Sequence, residues 1–194
     1  MDIATVRERL ESHQPLVVPG TGYAYAAVAL VLREGIEGAE FIAIRRSERA
    51  DDPWSGHVAL PGGRAHPDDR DLFETATRET REEVGIDLEQ HGQLLGPLDQ
   101  LRAVGRGRLL DLVISPFVYA IAAPVTLVLN QHEVHSAFWV PLTVLSRPEA
   151  HSSHRHALHG FEMEHPAFVY QGHTIWGLTY RILTGLLDLL RPSE

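Results

Sequence analysis

Hydrophobic and polar positions along the chain form short runs of strand type, interrupted by three stretches with helical spacing. The helical stretches cover residues 3–12, 71–84 and 179–190. The first places Ile3, Val6 and Leu10 on one face, and the last is the amphipathic run TYRILTGLLDLL. These spacings predict a short N-terminal helix, a central helix and a C-terminal helix.

Runs of apolar residues bounded by glycine, proline and polar clusters predict the strands. They cover residues 23–33, 40–45, 57–60, 93–98, 101–104, 109–122, 125–129 and 137–140, and a hairpin joins 168–170 to 174–175. Pro116 predicts a bulge or break within its strand. The histidine-rich segment 147–165 has little periodicity and predicts a polar surface loop. The alternatives are a histidine metal site and a loop that contacts the substrate.

The order of these elements indicates the fold class. Strands come first, then a helix, then more strands and a last helix, which favours a mixed α/β (α+β) sandwich. No linker is long enough to separate two domains, so we expect one domain over residues 1–194.

Composition narrows the range of partners. The 194 residues include 26 acidic and 17 basic side chains, for a formal charge of −9, which disfavours binding to a nucleic-acid backbone. The absence of cysteine excludes disulfides and thiolate zinc sites. No apolar stretch has the length of a signal peptide core or a membrane span. We therefore expect a soluble cytoplasmic protein without nucleic-acid or membrane partners, and its oligomeric state stays open.

The central helix carries the densest group of candidate functional residues. Glu79, Glu82 and Glu83 project to one side of it, because helical residues three and four apart share a face. They crowd the last turn, where the helix dipole disfavours negative charge, and they follow the glycine pair Gly62-Gly63. Since hard divalent cations bind carboxylate oxygens and bridge them to phosphates, the cluster favours a metal site.

The same helix is expected to pack through an inner face and to have defined ends. The inner face consists of Leu72, Ala76, Thr80 and Val84, with Phe73 beside them. Asp68 and Asp69 stand near its start, where carboxylates suit the cap and the dipole. Gly85 is placed to end it.

Residues 63–86 resemble the signature sequence of the Nudix hydrolases, G-x5-E-x7-R-E-U-x-E-E-x-G-U, in which U is a bulky apolar residue. The matching positions are Arg78, Glu79, Glu82, Glu83, Gly85 and Ile86. Three positions depart from the pattern. Asp69 stands in place of the first glutamate, eight residues instead of seven separate it from Arg78, and Thr80 replaces the bulky apolar residue.

The segment before this signature resembles the coenzyme A pyrophosphatase branch of the family, approximately LLTxRS…R…GxxxFPGG. In the run RRSERADDPWSGHVALPGG, the matches are Arg46-Ser47, Gly56 and Leu60-Pro61-Gly62-Gly63. The whole resemblance covers at least residues 23–142. It implies the Nudix fold, a mixed β-sheet sandwiched between helices, with the signature as a loop–helix–loop.

The resemblance also implies an activity. The expected reaction is attack of water on the diphosphate of a nucleoside diphosphate derivative, assisted by Mg²⁺ or Mn²⁺. Coenzyme A would yield 3′,5′-ADP and 4′-phosphopantetheine. The implied metal ligands are Glu79, Glu82, Glu83 and the backbone of Gly63. Arg78 would orient Glu79 or contact phosphate.

Two assignments have alternatives at this point. The general base is either Glu133, in the segment NQHEVHSAFWVPL, or Glu83. The arginines Arg45, Arg46 and Arg49 are candidates to bind the 3′-phosphate of coenzyme A, but a solvated loop would look the same. Gly62 is a further candidate to bind the substrate.

Two other functions are compatible with the sequence. One is a Nudix hydrolase of ADP-ribose or of a dinucleoside polyphosphate. The other is a non-catalytic Nudix-fold binding domain, although such domains usually lose the acidic residues that are present here.

Overall fold

The computed structural model describes residues 1–49, 54–105, 107–122, 124–158 and 161–191. The helices are α1 (Ile3–Ser12), α2 (Leu72–Val84), α3 (Leu88–His91), α4 (Leu142–Leu145) and α5 (Gly177–Leu190). The strands are β1 (Ala24–Gly35), β2 (Gly38–Arg46), β3 (Val58–Ala59), β4 (Gly62–Arg64), β5 (Gly92–Pro97), β6 (Leu101–Gly105), β7 (Arg108–Ile121), β8 (Val134–Pro141), β9 (His151–Leu158), β10 (Phe161–Tyr170) and β11 (His173–Trp176).

Eight strands form one mixed sheet. Its order is β3-β2-β1-β7-β5, with β4 added to β1, β6 to β7 and β8 to β2. The central pair β1–β7 is parallel and the other pairs are antiparallel. Because β1 is central, its pairing with β4 holds the glycine pair of the signature against the middle of the sheet.

Helices cover both faces of this sheet. Alternate residues of β1 point to opposite sides: Leu30 joins a core cluster with α1 and α5, whereas Val31 joins a cluster with α2. Both side chains are fully buried. The prediction of a mixed sheet between helices is therefore confirmed, and so are the helices at residues 3–12, 71–84 and 179–190, the last starting two residues earlier. No helix in the described ranges has the length and apolar character needed to cross a membrane.

The histidine-rich segment was predicted to be a loop, and that prediction was wrong. It forms β9 and the first half of β10, which with β11 make a second, antiparallel sheet of three strands. His154 and His165 lie directly opposite each other in this hairpin. Their rings contact Trp176, at centroid distances of 4.2 and 5.5 Å. Aromatic packing by imidazoles takes the place of the apolar alternation that normally identifies a strand.

Two smaller predictions were also wrong. Residues 125–129 are not a strand; instead Val128 N and Asn130 N donate to the carbonyls of Val84 and Glu83 at the end of α2. Pro116 does not break β7, which runs on past it, and the Pro116 carbonyl still accepts a hydrogen bond from Leu98 N. The short helix α3 was not predicted.

Candidate active site

The glycine pair brings the chain unusually close to its neighbours. A Cβ on Gly62 would lie 2.3 Å from the carbonyl oxygen of Ala27, and the residue has φ of 153°. A Cβ on Gly63 would lie 2.4 Å from the Glu79 carboxylate. Gly62 therefore requires glycine, whereas a side chain at Gly63 would displace the Glu79 carboxylate, which packs against the backbone there.

The start of α2 differs from the predicted capping. The cap is Asp71, whose carboxylate accepts a hydrogen bond from Glu74 N at 2.9 Å. Asp69 is not a cap. It receives two hydrogen bonds from Arg78, at 2.9 Å from Nε and 3.0 Å from Nη2, and one from Thr75 Oγ1 at 2.8 Å. The bonds from Arg78 hold the pKa of Asp69 far below its usual value.

This pairing accounts for the irregular first half of the signature. Asp69 lies in the loop before α2, so its shorter side chain reaches Arg78 from outside the helix. The side chain of Asp69 is only 6% exposed, and the contact is a bidentate fork.

Arg78 joins the loop to the acidic face of α2. Its Nη1 donates to Glu79 at 2.8 Å and to Glu82 at 3.1 Å, and its Nη2 also donates to the Arg64 carbonyl at 3.2 Å. The guanidinium thus contacts three carboxylates at once when Asp69 is included. The structure therefore places Arg78 where it orients Glu79.

Glu83 is the most deeply buried acid of the site, with 1% of its side chain exposed. Its Oε2 accepts a hydrogen bond from Gly62 N at 2.8 Å, and Arg46 Nη1 lies 3.9 Å from its Oε1. Burial raises the pKa of Glu83 to about 8, although these two contacts oppose the shift.

Three carboxylates converge at this point. One oxygen from each of Glu79, Glu83 and Glu133 lies within 4.8 Å of the other two. Burial also raises the pKa of Glu79. Glu133 comes from the turn before β8, where its backbone carbonyl accepts a hydrogen bond from Ser47 N at 2.8 Å. Glu82, by contrast, is half exposed and lies outside this group.

The carboxylate group fits a divalent cation. Bringing like charges together in a largely buried site is unfavourable unless a positive charge compensates for them. The donors are all carboxylate oxygens, which Mg²⁺ and Mn²⁺ prefer. Burial raises the pKa of Glu79 and of Glu83, and a cation at this point would favour the charged form of both carboxyl groups.

The carboxylate group opens into a cavity of about 950 Å³. Three arginines, Arg46, Arg64 and Arg181, are among the residues that line it. Of the four predicted substrate-binding residues, Arg46 and Gly62 line the cavity. Arg45 instead pairs with Glu48 at 3.4 Å, and Arg49 is exposed away from the lining.

Another part of the cavity wall is aromatic, and sequence reasoning missed it as a site. Trp176 contacts His57 at a centroid distance of 4.7 Å, in addition to His154 and His165. All four side chains line the cavity. They come from the residue before β3 and from β9, β10 and β11, so no local pattern in the sequence could have grouped them.

Comparisons with known proteins agree with this architecture. The family described as NUDIX domain matches residues 22–161. An uncharacterised protein of Schizosaccharomyces pombe is 35% identical over 168 residues, covering 77% of this chain and 51% of that protein. The mitochondrial coenzyme A diphosphatase of Homo sapiens is 33% identical over 155 residues, covering 76% of this chain and 61% of that protein. The chain thus spans about half to three-fifths of the length of these relatives.

A solved structure shows the same fold. The Ap4A hydrolase of C. elegans, in a binary complex, superposes with a TM-score of 0.52 at 21% identity, covering 62% of this chain and 81% of that one. Together with the family match over most of the chain, these relationships show that the chain belongs to the Nudix hydrolase family.

Proposed function

We propose that this chain is a metal-dependent diphosphatase that hydrolyses coenzyme A or its derivatives to 3′,5′-ADP and 4′-phosphopantetheine. The observation that carries the proposal is the convergence of Glu79, Glu83 and Glu133 at the wall of one large cavity that arginines also line. Two further observations favour coenzyme A. The segment from Arg45 to Gly63 resembles the coenzyme A pyrophosphatase branch, and the human relative is a mitochondrial coenzyme A diphosphatase.

The proposed metal ligands are those that the signature implies: Glu79, Glu82, Glu83 and the backbone of Gly63. A carboxylate oxygen of Glu133 lies within 4.8 Å of oxygens of Glu79 and Glu83, close enough to act on water beside such a metal. A bound Mg²⁺ or Mn²⁺ would supply positive charge to the diphosphate oxygens and lower the pKa of water.

The chain's own residues supply orientation and charge. Arg78 fixes the Glu79 carboxylate, and the Gly62 N–H fixes that of Glu83. Arg46 and Arg64 add positive charge beside the diphosphate. Because phosphoryl transfer depends mainly on positioning and charge stabilisation, such a rigid arrangement is what the reaction requires.

We propose Glu133 as the general base. Glu83 is almost completely buried and one of its oxygens is held by Gly62 N, so water has little access to it. Glu133 is half-buried and lines the cavity, and Asn130 Nδ2 holds its Oε1 only loosely, at 3.3 Å. In the step, the water oxygen bonds to phosphorus, the bond from that phosphorus to the bridging oxygen breaks, and the water proton passes to the Glu133 carboxylate.

A substrate panel tests this function. The full chain is incubated with Mg²⁺ or Mn²⁺ and with coenzyme A, ADP-ribose or a dinucleoside polyphosphate, and products are separated by chromatography. We expect 3′,5′-ADP and 4′-phosphopantetheine from coenzyme A, and no turnover when a chelator removes the metal. Cleavage of ADP-ribose with coenzyme A left intact would assign another substrate. Tight ligand binding without turnover of any diphosphate would instead indicate a binding domain.

A further inference from the structure

Arg181 is a positively charged residue of the cavity that the proposed reaction does not use. It lies in the second turn of α5, and two other residues of this helix also line the cavity: Leu178, three residues earlier and so on the same face, and the adjacent Ile182. This part of α5 follows directly on Trp176, so it continues the aromatic wall. All four residues lie beyond residues 22–161, to which the family match extends.

The guanidinium of Arg181 has little to neutralise it. Its contact within the described part of the chain is a hydrogen bond from Nη1 to the Arg102 carbonyl, at 3.5 Å. It forms no ion pair there with a carboxylate. The nearby Arg102 differs in this respect, because its own guanidinium pairs with Asp111 at 3.0 Å.

The cavity therefore offers positive charge on two separate walls. Arg64 immediately follows Gly63, beside the carboxylate group, and Arg181 comes from α5 next to β6. A diphosphate bound at the carboxylates meets the first wall. An uncompensated guanidinium on a partly apolar second wall suits a further anionic group, and phosphate matches the planar fork of arginine.

We propose that Arg181 binds a phosphate monoester that the substrate carries in addition to its diphosphate. Arg181 is then a specificity-determining residue, which selects nucleotides that bear a 3′-phosphate over those that lack it. The proposal deepens the proposed function and rests on it for the site of binding, but its first test requires no hydrolysis.

The first test compares 3′,5′-ADP with 5′-AMP, which differ by that phosphate alone. Their affinities for the full chain are measured by calorimetry in the presence of Mg²⁺. We expect 3′,5′-ADP to bind about tenfold more tightly, and Arg181→Gln to remove this preference while binding of 5′-AMP stays the same. Arg181→Lys should retain part of it, because lysine keeps the charge but loses the fork.

Arg191→Gln is the matched control. Arg191 follows the end of the same helix, is exposed, pairs with Asp188 at 3.2 Å and lies outside the cavity lining. It should behave as the wild type. Thermal unfolding of each variant checks that the fold is retained.

The second test uses coenzyme A and 3′-dephospho-coenzyme A as substrates. Arg181→Gln should raise KM for coenzyme A about tenfold and leave both kcat and the KM for the dephosphorylated substrate unchanged within twofold. The proposal would be overturned if the wild type bound the two nucleotides with equal affinity, or if 3′,5′-ADP did not bind measurably. It would also be overturned if Arg181→Gln lost the same factor of affinity for both nucleotides. Selective binding without coenzyme A hydrolysis would instead leave Arg181 assigned and refute the proposed reaction.

Discussion

At the scale of single residues, the site is defined by acids that are kept in unfavourable surroundings. Glu83 is held almost completely buried by a backbone N–H, and Glu79 packs against the backbone of Gly63. Both carboxyl groups have a raised pKa because burial disfavours their charged form. Such groups lower the free energy of unfolding, and acids with a strongly shifted pKa are typical of functional sites.

Replacement of the acids tests their proposed role. Glu82→Gln and Glu83→Gln should each reduce metal-dependent turnover by on the order of 10², because each removes charge stabilisation from the transition state. The measurement is kcat with Mg²⁺ on whichever diphosphate the wild type cleaves.

The control for these variants is Glu89→Gln. Glu89 is an exposed acid of α3, 60% accessible, outside the carboxylate group. Its replacement should leave kcat within twofold of the wild type. Near-wild-type rates for the Glu83 variant would exclude it from the catalytic site, and the same result at Glu82 would limit that residue to pairing with Arg78.

The raised pKa of Glu83 also predicts how stability depends on pH. Between the ordinary value of 4.5 and about 8, the folded state keeps a proton that the unfolded state releases. The free energy of unfolding of the metal-free protein should therefore fall as pH rises through this window. Glu83→Gln should make the free energy of unfolding less dependent on pH, and should stabilise the metal-free protein at pH 8 by ~1–3 kcal/mol.

Urea denaturation in the presence of a chelator measures this effect, at intervals from pH 5 to pH 8. Addition of Mg²⁺ should stabilise the wild type most at pH 8 and should stabilise the Glu83 variant much less. A stability of the metal-free wild type that is independent of pH would contradict the assignment of the buried charge.

At the scale of elements, the loop before α2 and the acidic face of the helix act as one unit. Asp69 and Arg78 connect them through a bidentate pair, and Gly62 N connects the glycine turn to Glu83. Thr80 fits into the same helix because its hydroxyl donates to the Ala76 carbonyl at 2.7 Å and so is satisfied although buried.

Asp69→Asn should weaken the connection between the loop before α2 and the helix. It removes the charge that pairs with Arg78 and should lower the free energy of unfolding at pH 7 by about 2 kcal/mol. Because the pKa of Asp69 is lowered in the folded state, its contribution is present above its ordinary value of 3.8 and is lost on acidification. The difference between variant and wild type should therefore narrow below about pH 4.

Asp68→Asn provides the comparison, since Asp68 is the adjacent residue but its side chain is 91% exposed. It should not change the free energy of unfolding measurably, either at pH 7 or below about pH 4. An equal effect of the two substitutions would show that the Asp69 pair contributes nothing specific.

The sequence predicted those elements whose burial follows a regular period. Helices α1, α2 and α5 and the hairpin β1–β2 have such patterns, and they form with nearly the expected bounds. The pair β9–β10 escaped prediction because its inward residues include histidines, which hydropathy treats as polar. Residues 125–129 were predicted to form a strand because they are apolar. Their backbone instead forms hydrogen bonds with the end of α2 and pairs with none of the described strands.

Residue spacing predicted the site only where its residues are close in the chain, and Glu133 and Arg46 became candidates only through the family resemblance. Glu79 and Glu83 follow from the spacing on one helix, whereas the proximity of Glu133 depends on the turn before β8. Arg181 and the aromatic wall around Trp176 arise from tertiary packing alone.

At the scale of the whole molecule, the cavity lies between the main sheet and the C-terminal layer formed by β9–β11 and α5. Thr179 joins the two, since its buried hydroxyl donates to the Val58 carbonyl of β3 at 3.1 Å. The chain passes from β3 through only two residues before it reaches the glycine pair. The hydrogen bond therefore links α5 to the segment that leads into the glycine pair.

Thr179→Val should weaken this junction. The side chain keeps its shape but leaves a buried carbonyl without its partner, which should cost about 1 kcal/mol in the free energy of unfolding. Thr179→Ser keeps the hydroxyl and should retain the junction. Thermal unfolding compares the two; if serine destabilises as much as valine, the methyl packing and not the hydrogen bond matters.

The C-terminal layer also bears on how such a protein can change over evolutionary time. The acids that would perform hydrolysis lie between residues 79 and 133, whereas Met163, Trp176 and Arg181 of the cavity wall follow later in the chain. Substitutions in the later stretch can therefore change which diphosphate substrate is preferred, without altering the acids that would cleave the bond.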